Sequence, residues 1–156
     1  MKQLSIDNNY LVPVKSNVDG TLIFKGDGYE ERWYSVGEIQ ILSWEEIKSI
    51  RKYMRCFFEN NRIIFEATDE YSPSQMYEAL GVQKYYANGD KFKDFDELLV
   101  LKPKEISAYL QDMTSGYRDS LASYVKGLIN NGDPRMDSKA RVSALEKVLN
   151  VDFSEV

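Results

Sequence analysis

The apolar positions of the first forty residues fall in short runs of strand length, and beyond Leu42 they change to the three-and-four spacing of a helix. Tyr10-Leu11-Val12-Pro13-Val14 is an extended apolar stretch, and Pro13 predicts an edge or strand-end position because proline cannot donate to a ladder. Asn17-Val18-Asp19-Gly20 signals a turn before Thr21-Leu22-Ile23-Phe24. Gly26-Asp27-Gly28 marks a hairpin into Glu30–Ser35, and Gly37 precedes Glu38-Ile39-Gln40-Ile41-Leu42. A meander of three or four strands is the simplest assembly of these pieces.

Ser43-Trp44-Glu45-Glu46 has the form of a capping box, and Trp44, Ile47, Ile50, Tyr53, Met54, Phe57 and Phe58 then share one face of a predicted helix over 44–58. Asn60-Asn61 closes it, and Arg62-Ile63-Ile64-Phe65-Glu66 reads as a strand returning to the same sheet. Ser72-Pro73-Ser74-Gln75 is a second capping box, stopped by Gly81. Pro103 opens a helix with Ile106, Tyr109, Leu110 and Met113 inward. Thr114 or Ser115 caps the next, whose stripe is Tyr117, Leu121, Tyr124, Val125, Leu128 and Ile129. After the break at 130–134, Asp137 caps a last helix with Val142, Leu145, Val148 and Leu149 inward. The expected fold is α+β, with a β-rich part over 1–86 that includes helix 44–58 and a helical part over 94–156, either joined by a hinge at Tyr86–Lys93 or continuous as one domain.

Composition changes this picture in one respect. The 156 residues include no histidine and one cysteine, but eleven tyrosines, seven phenylalanines and two tryptophans. Histidine is the commonest general base and metal ligand, so its absence points away from catalysis and metal binding and towards contact. A single cysteine forms no internal disulfide, which fits a reducing compartment. The formal charge of −5 divides as −1 over residues 1–66 and −4 over 67–156, a balance that argues against broad nucleic-acid binding. The apolar runs are too short to span a bilayer, and the first residues lack a leader-like hydrophobic region.

Few constellations carry chemistry. Lys48, Arg51, Lys52 and Arg55 form a basic stripe opposite the apolar helix face, readable as a contact with an acidic partner or phosphate backbone, or as a solvated face. Alternation in Glu30–Ser35 places Trp33 and Tyr34 on opposite sheet faces, so one is core and the other a candidate interface anchor. Cys56 lies off the apolar stripe as a packing residue. Asp90, Asp94, Asp96 and Glu97 lack calcium-loop spacing, and Asp94 or Asp96 is expected to cap a helix. The glycines match no phosphate-binding loop, and no hydrolase elbow or Cys-x-x-Cys pair occurs. No cofactor or small-molecule ligand is expected, and the last two helices make a poor helix-turn-helix because their connection is long.

The order of these segments resembles a group of small tailed-bacteriophage proteins described as virion or hypothetical structural proteins. The resemblance rests on Tyr10-Leu11-Val12-Pro13-Val14, Gly20-Thr21-Leu22-Ile23-Phe24, and Phe57-Phe58-Glu59-Asn60-Asn61 leading into Arg62-Ile63-Ile64. It continues through Leu80-Gly81-Val82-Gln83-Lys84-Tyr85-Tyr86 and the stretch from Asp137 to Leu149. It implies a non-enzymatic structural or assembly component of the particle that binds other protein subunits, in the virion or in the cytoplasm of the infected bacterial host. A small phage regulatory protein that binds nucleic acid or a host factor is the alternative, and an enzyme comes third.

Overall fold

A computed structural model describes residues 4–87 and 89–154; Met1–Gln3, at the head of the segment read for a leader, and Asn88, within the expected hinge, lie outside the described residues. The fold is α+β. Five strands, β1 (Leu11–Ser16), β2 (Leu22–Lys25), β3 (Glu30–Trp33), β4 (Ile39–Ser43) and β5 (Ile63–Phe65), are followed mainly by helices. They do not form one meander. β1 lies at the centre of an antiparallel sheet of order β4-β1-β5, and β2 and β3 form a separate hairpin.

Pro13 therefore sits in a central strand, against expectation, and the register explains why it is tolerated. Ser16 N–H donates to the Glu38 carbonyl and Trp44 N–H to the Tyr10 carbonyl, so ladder bonds between β1 and β4 fall on even-numbered residues of β1. Pro13 faces Ile41 between them. On its other side it stands just past the end of β5, where the Glu66 N–H reaches its carbonyl at 3.0 Å. Its missing donor costs little there.

The helix predicted over 44–58 is two helices. Ser43 caps α1 (Trp44–Tyr53) through the expected box with Glu46, and the chain breaks at Met54 before α2 (Cys56–Glu59). The break turns Phe57 onto Phe24 and Phe58 onto Phe65, and it leaves Tyr53 and Met54 exposed. Asn61, in the left-handed region at φ 53°, redirects the chain into β5. The inner sheet face (Val12, Val14, Leu42, Ile63 and Phe65) packs under Trp44, Phe58 and the hairpin residue Trp33.

α3 (Pro73–Leu80) starts at the Ser72 box and stops at Gly81, at φ 79°. Asp94 caps α4 (Phe95–Leu99), and Thr114 caps α6 (Ser115–Asn130) after α5 (Pro103–Gln111). Ser138, not Asp137, caps α7 (Lys139–Leu149), because Asp137 ends a 3-10 turn over Pro134–Asp137. Of the α6 stripe, Tyr117, Leu121, Tyr124 and Val125 are buried, whereas Leu128 and Ile129 are half-buried; on α7 only Leu145 is fully inside.

The segment read as a hinge sends Tyr86 and Phe92 into the core. Tyr86 stacks on Tyr77 at 3.9 Å between ring centroids, Tyr77 stacks on Phe65 at 4.8 Å, and Phe92 meets Tyr86 edge-on. Phe92 and Phe95 then both contact Tyr117, so aromatic rings run unbroken from the sheet into α6. The two innermost tyrosines also bond to β5: Tyr77 Oη accepts from the Phe65 N–H at 2.9 Å, and Tyr86 Oη donates to the Ile63 carbonyl at 2.6 Å. The hydrophobic core is continuous from Ile6 to Leu145 and draws on both 1–86 and 94–156.

Two polar ties cross the same junction. Asn17 Nδ2 donates to the Asn61 carbonyl at 3.2 Å, and its Oδ1 accepts from the Phe95 N–H at 2.9 Å. Asn61 donates to the Tyr85 carbonyl and accepts from the Thr114 hydroxyl, both at 2.7 Å. On the outer sheet face the buried ammonium of Lys15 reaches Glu66 at 2.8 Å, Asp94 at 3.0 Å and Glu97 at 2.8 Å.

Replacing Leu121 by alanine is expected to cost about 3 kcal/mol in urea denaturation, and Leu128→Ala clearly less, since only Leu121 is fully enclosed. Lys15→Ala strands the buried Asp94 carboxylate without its cation, and a loss of about 3 kcal/mol is expected by the same measurement.

Candidate interaction surface

Strand alternation decides between Trp33 and Tyr34. Trp33 faces inward with no exposed surface, its Nε1 donating to the Val14 carbonyl at 3.0 Å, so it is core and cannot anchor a partner. Tyr34 is 59% exposed at the start of the connection to β4. Its N–H donates to the carboxylate of Glu38, and Gly37 N–H donates to the Ser16 carbonyl, so the loop beneath Tyr34 is pinned to the end of the sheet.

The basic residues are brought together only in part. Lys48, Arg51 and Lys52 ride on α1, with Lys48 and Lys52 exposed and Arg51 half-buried, whereas Arg55 lies beyond the break at Met54. Among the described residues none of the four forms an ion pair, and Lys52 Nζ lies 5.1 Å from the ring centre of its neighbour Tyr53. Arg51 and Lys52 fall in the last turn of α1, where cations complement the carbonyl end of the helix. That placement gives them a local role without any partner.

The larger feature lies on the sheet. Paired residues of antiparallel strands share a face, so the register sets Leu11, Pro13, Lys15, Ile39, Ile41, Ser43 and Ile64 together on the outer side. At one end of this face Lys15 and Ile64 are buried, and Asp94 and Glu97 at the start of α4 close over the ammonium. Over β4 the face is open: Leu11 is 61% exposed, Ile41 56% and Ile39 46%. Sequence reasoning treated these residues as ordinary strand material. The available signal was that β1 and β4 are apolar on both faces, which is more than a sheet packed on one side requires.

The electrostatics favour holding over reacting. Burial works against the charge on Lys15, but its hydrogen bonds to Glu66, Glu97 and Asp94 outweigh that and raise its pKa above the ordinary value. A lysine so held is a fixed cation and a poor base. Burial raises the Asp94 pKa despite donation from the Glu97 N–H and Lys15, and the Lys15 bond overcomes burial at Glu97 to lower its pKa. Burial pushes Tyr109 and Tyr124 up to about 12, and Tyr77, Tyr86 and Tyr117 also rise, so these phenols stay neutral as hydrogen-bonding groups.

Cys56 is half-buried, with Arg62 Nη1 at 3.8 Å from its sulfur. Among the described residues no three Cys, Asp or Glu side chains are grouped to hold a metal ion, and no helix is long and apolar enough to cross a membrane. A cavity of about 640 Å³ lies between the β2–β3 hairpin and α1, and Phe24, Tyr29, Glu46 and Tyr53 are among its walls. Comparison with protein-family models, curated proteins and solved structures finds no match for the chain.

Proposed function

We propose that the protein is a non-enzymatic structural or assembly component of a bacteriophage particle and that it binds another protein subunit of the particle through the open half of its outer sheet face. The observation that carries this reading is the adjoining exposure of Leu11, Ile39 and Ile41 on a rigid sheet. An apolar patch that a fold leaves uncovered marks a contact site, and a sheet held on its inner side by a continuous aromatic core presents it without reorganisation. Tyr34, pinned beside the start of β4, adds an amphipathic ring at the rim, the residue type enriched in binding hot spots. The particle itself enters through the resemblance of segment order to phage virion proteins.

A second reading, a small regulatory protein that binds nucleic acid or a host factor, draws on the unpaired cations Lys48, Arg51, Lys52 and Arg55. The net charge of −5 weighs against it for nucleic acid, because affinity there depends on neutralised phosphates. In the preferred reading these charges tune the rate of encounter and add little to affinity.

Ile41→Asp is expected to leave stability within about 0.5 kcal/mol, since the side chain is exposed, while removing the protein from purified particles as counted by quantitative mass spectrometry. Tyr34→Ala should weaken incorporation by about tenfold or more. Wild-type incorporation of both variants rejects this surface. Salt-dependent DNA binding that disappears with Lys48→Glu and Arg51→Glu promotes the second reading.

A further inference from the structure

Glu31 is the one charged residue on the core-facing side of the β2–β3 hairpin. It stands opposite Phe24 in the register, and alternation turns it to the same side as Trp33. There it comes within hydrogen-bonding reach of Glu46 in the first turn of α1. Oε1 of Glu46 completes the capping box, accepting from the N–H and hydroxyl of Ser43, both at 3.2 Å. Its Oε2 is closed off from solvent and has no donor.

Two ionised carboxylates offer each other only acceptors, and the burial of an unpaired oxygen costs stability. A single proton changes the contact from a repulsion into a short, charge-assisted hydrogen bond. Among the described residues no lysine or arginine forms an ion pair with either group. The other ionisable groups at this junction are Glu45 on α1 and Lys25, Asp27 and the Tyr29 phenol on the hairpin, all lining the 640 Å³ cavity, while Glu30 and Arg32 pair with each other.

We propose that one proton held between Glu31 and Glu46 latches the β2–β3 hairpin onto the first turn of α1, so that attachment of the hairpin depends on pH. Burial of Glu31, followed by its hydrogen bond with Glu46 and the charge of that neighbour, pushes its pKa from the ordinary 4.5 up to about 7. The folded state thus keeps a proton that the unfolded chain has already released. The stabilisation is complete below the ordinary carboxylate range and is lost as the pH rises through about 7. In a chain without histidine, little besides the terminal amino group titrates there, so the signal stands alone. Release loosens the contact of the hairpin with α1, while Leu22, Phe24 and Trp33 keep the hairpin anchored in the core.

The test is made on the whole chain. The Glu31 carboxyl carbon, followed by NMR, is expected to titrate near 7, and a midpoint at the ordinary 4.5 overturns the latch. Amide exchange over Leu22–Lys25 and Glu30–Trp33, corrected for its intrinsic pH dependence, should quicken at least about tenfold between about pH 5.5 and 8. Glu31→Gln supplies a permanent donor to Glu46 Oε2 and is expected to hold exchange slow at both pH values. Equal quickening in E31Q and wild type counts against the proposal. The carboxyl titration needs no variant, so the proposal remains testable even where E31Q folds poorly.

Discussion

Asn17 and Asn61 hold the point at which the sheet, the α2 turn, α4 and α6 meet. Each side chain uses both ends of its amide: Asn17 joins the α2–β5 turn to the first N–H of α4, and Asn61 joins the Tyr85 carbonyl to the Thr114 hydroxyl. Three of the groups they satisfy are backbone donors or acceptors in turns and at element ends, and the fourth is the Thr114 hydroxyl. Thr114 in turn caps α6 through the Tyr117 N–H, so the start of the longest helix is referred back to one asparagine. Asn61 adds a backbone requirement through its left-handed conformation. Gly116 completes the fit, because a β-carbon there would stand 2.3 Å from Asn60 Oδ1.

Around this joint the aromatic residues do two kinds of work. Eight form the ring-to-ring path from Phe58 and Phe65 through Tyr77, Tyr86 and Phe92 to Tyr117, Phe95 and Tyr124. Tyrosine suits that path because its ring fills the core while its hydroxyl answers a buried polar group, as Tyr117 does at the Lys93 carbonyl and Tyr124 at Asp96. Only Tyr29, Tyr34 and Tyr53 among the aromatic residues described here stand out as exposed. The abundance of tyrosine, which in the sequence suggests contact surface, is for the most part a way of building a core with polar ends.

Local signals read well from the sequence because they depend on neighbours three or four residues apart. The boxes at Ser43 and Ser72, the stop at Gly81 and the caps at Asp94 and Thr114 all fall where the pattern puts them. Strand pairing did not, since β1 joins β4 and β5 across long separations that periodicity cannot weigh, and Pro13 looked like an edge residue for want of that register. The helix break at Met54 was hidden because Tyr53 and Met54 continue an apolar stripe that tertiary packing does not use. The burial within Tyr86–Lys93 is hidden for the converse reason: its short turns look like a linker, yet Tyr86 and Phe92 are buried by segments distant in sequence. Of the candidate surface, the Trp33/Tyr34 choice was legible as a pair but not as an answer. The open patch was invisible, because it exists only once α4 has covered the other half of the face.

The phenols of Tyr77 and Tyr86 have a consequence for growth of the sheet. β5 forms one of its two margins, and two of the groups that point outward there are the Phe65 N–H and the Ile63 carbonyl, because Ile64 is turned in register towards β1. Both are already taken by side chains of the same molecule. An incoming strand would find one donor and one acceptor of this short margin already occupied, which weakens the feature that lets exposed sheet edges polymerise. Two hydroxyl groups thus blunt this margin against pairing with the strand of a second copy.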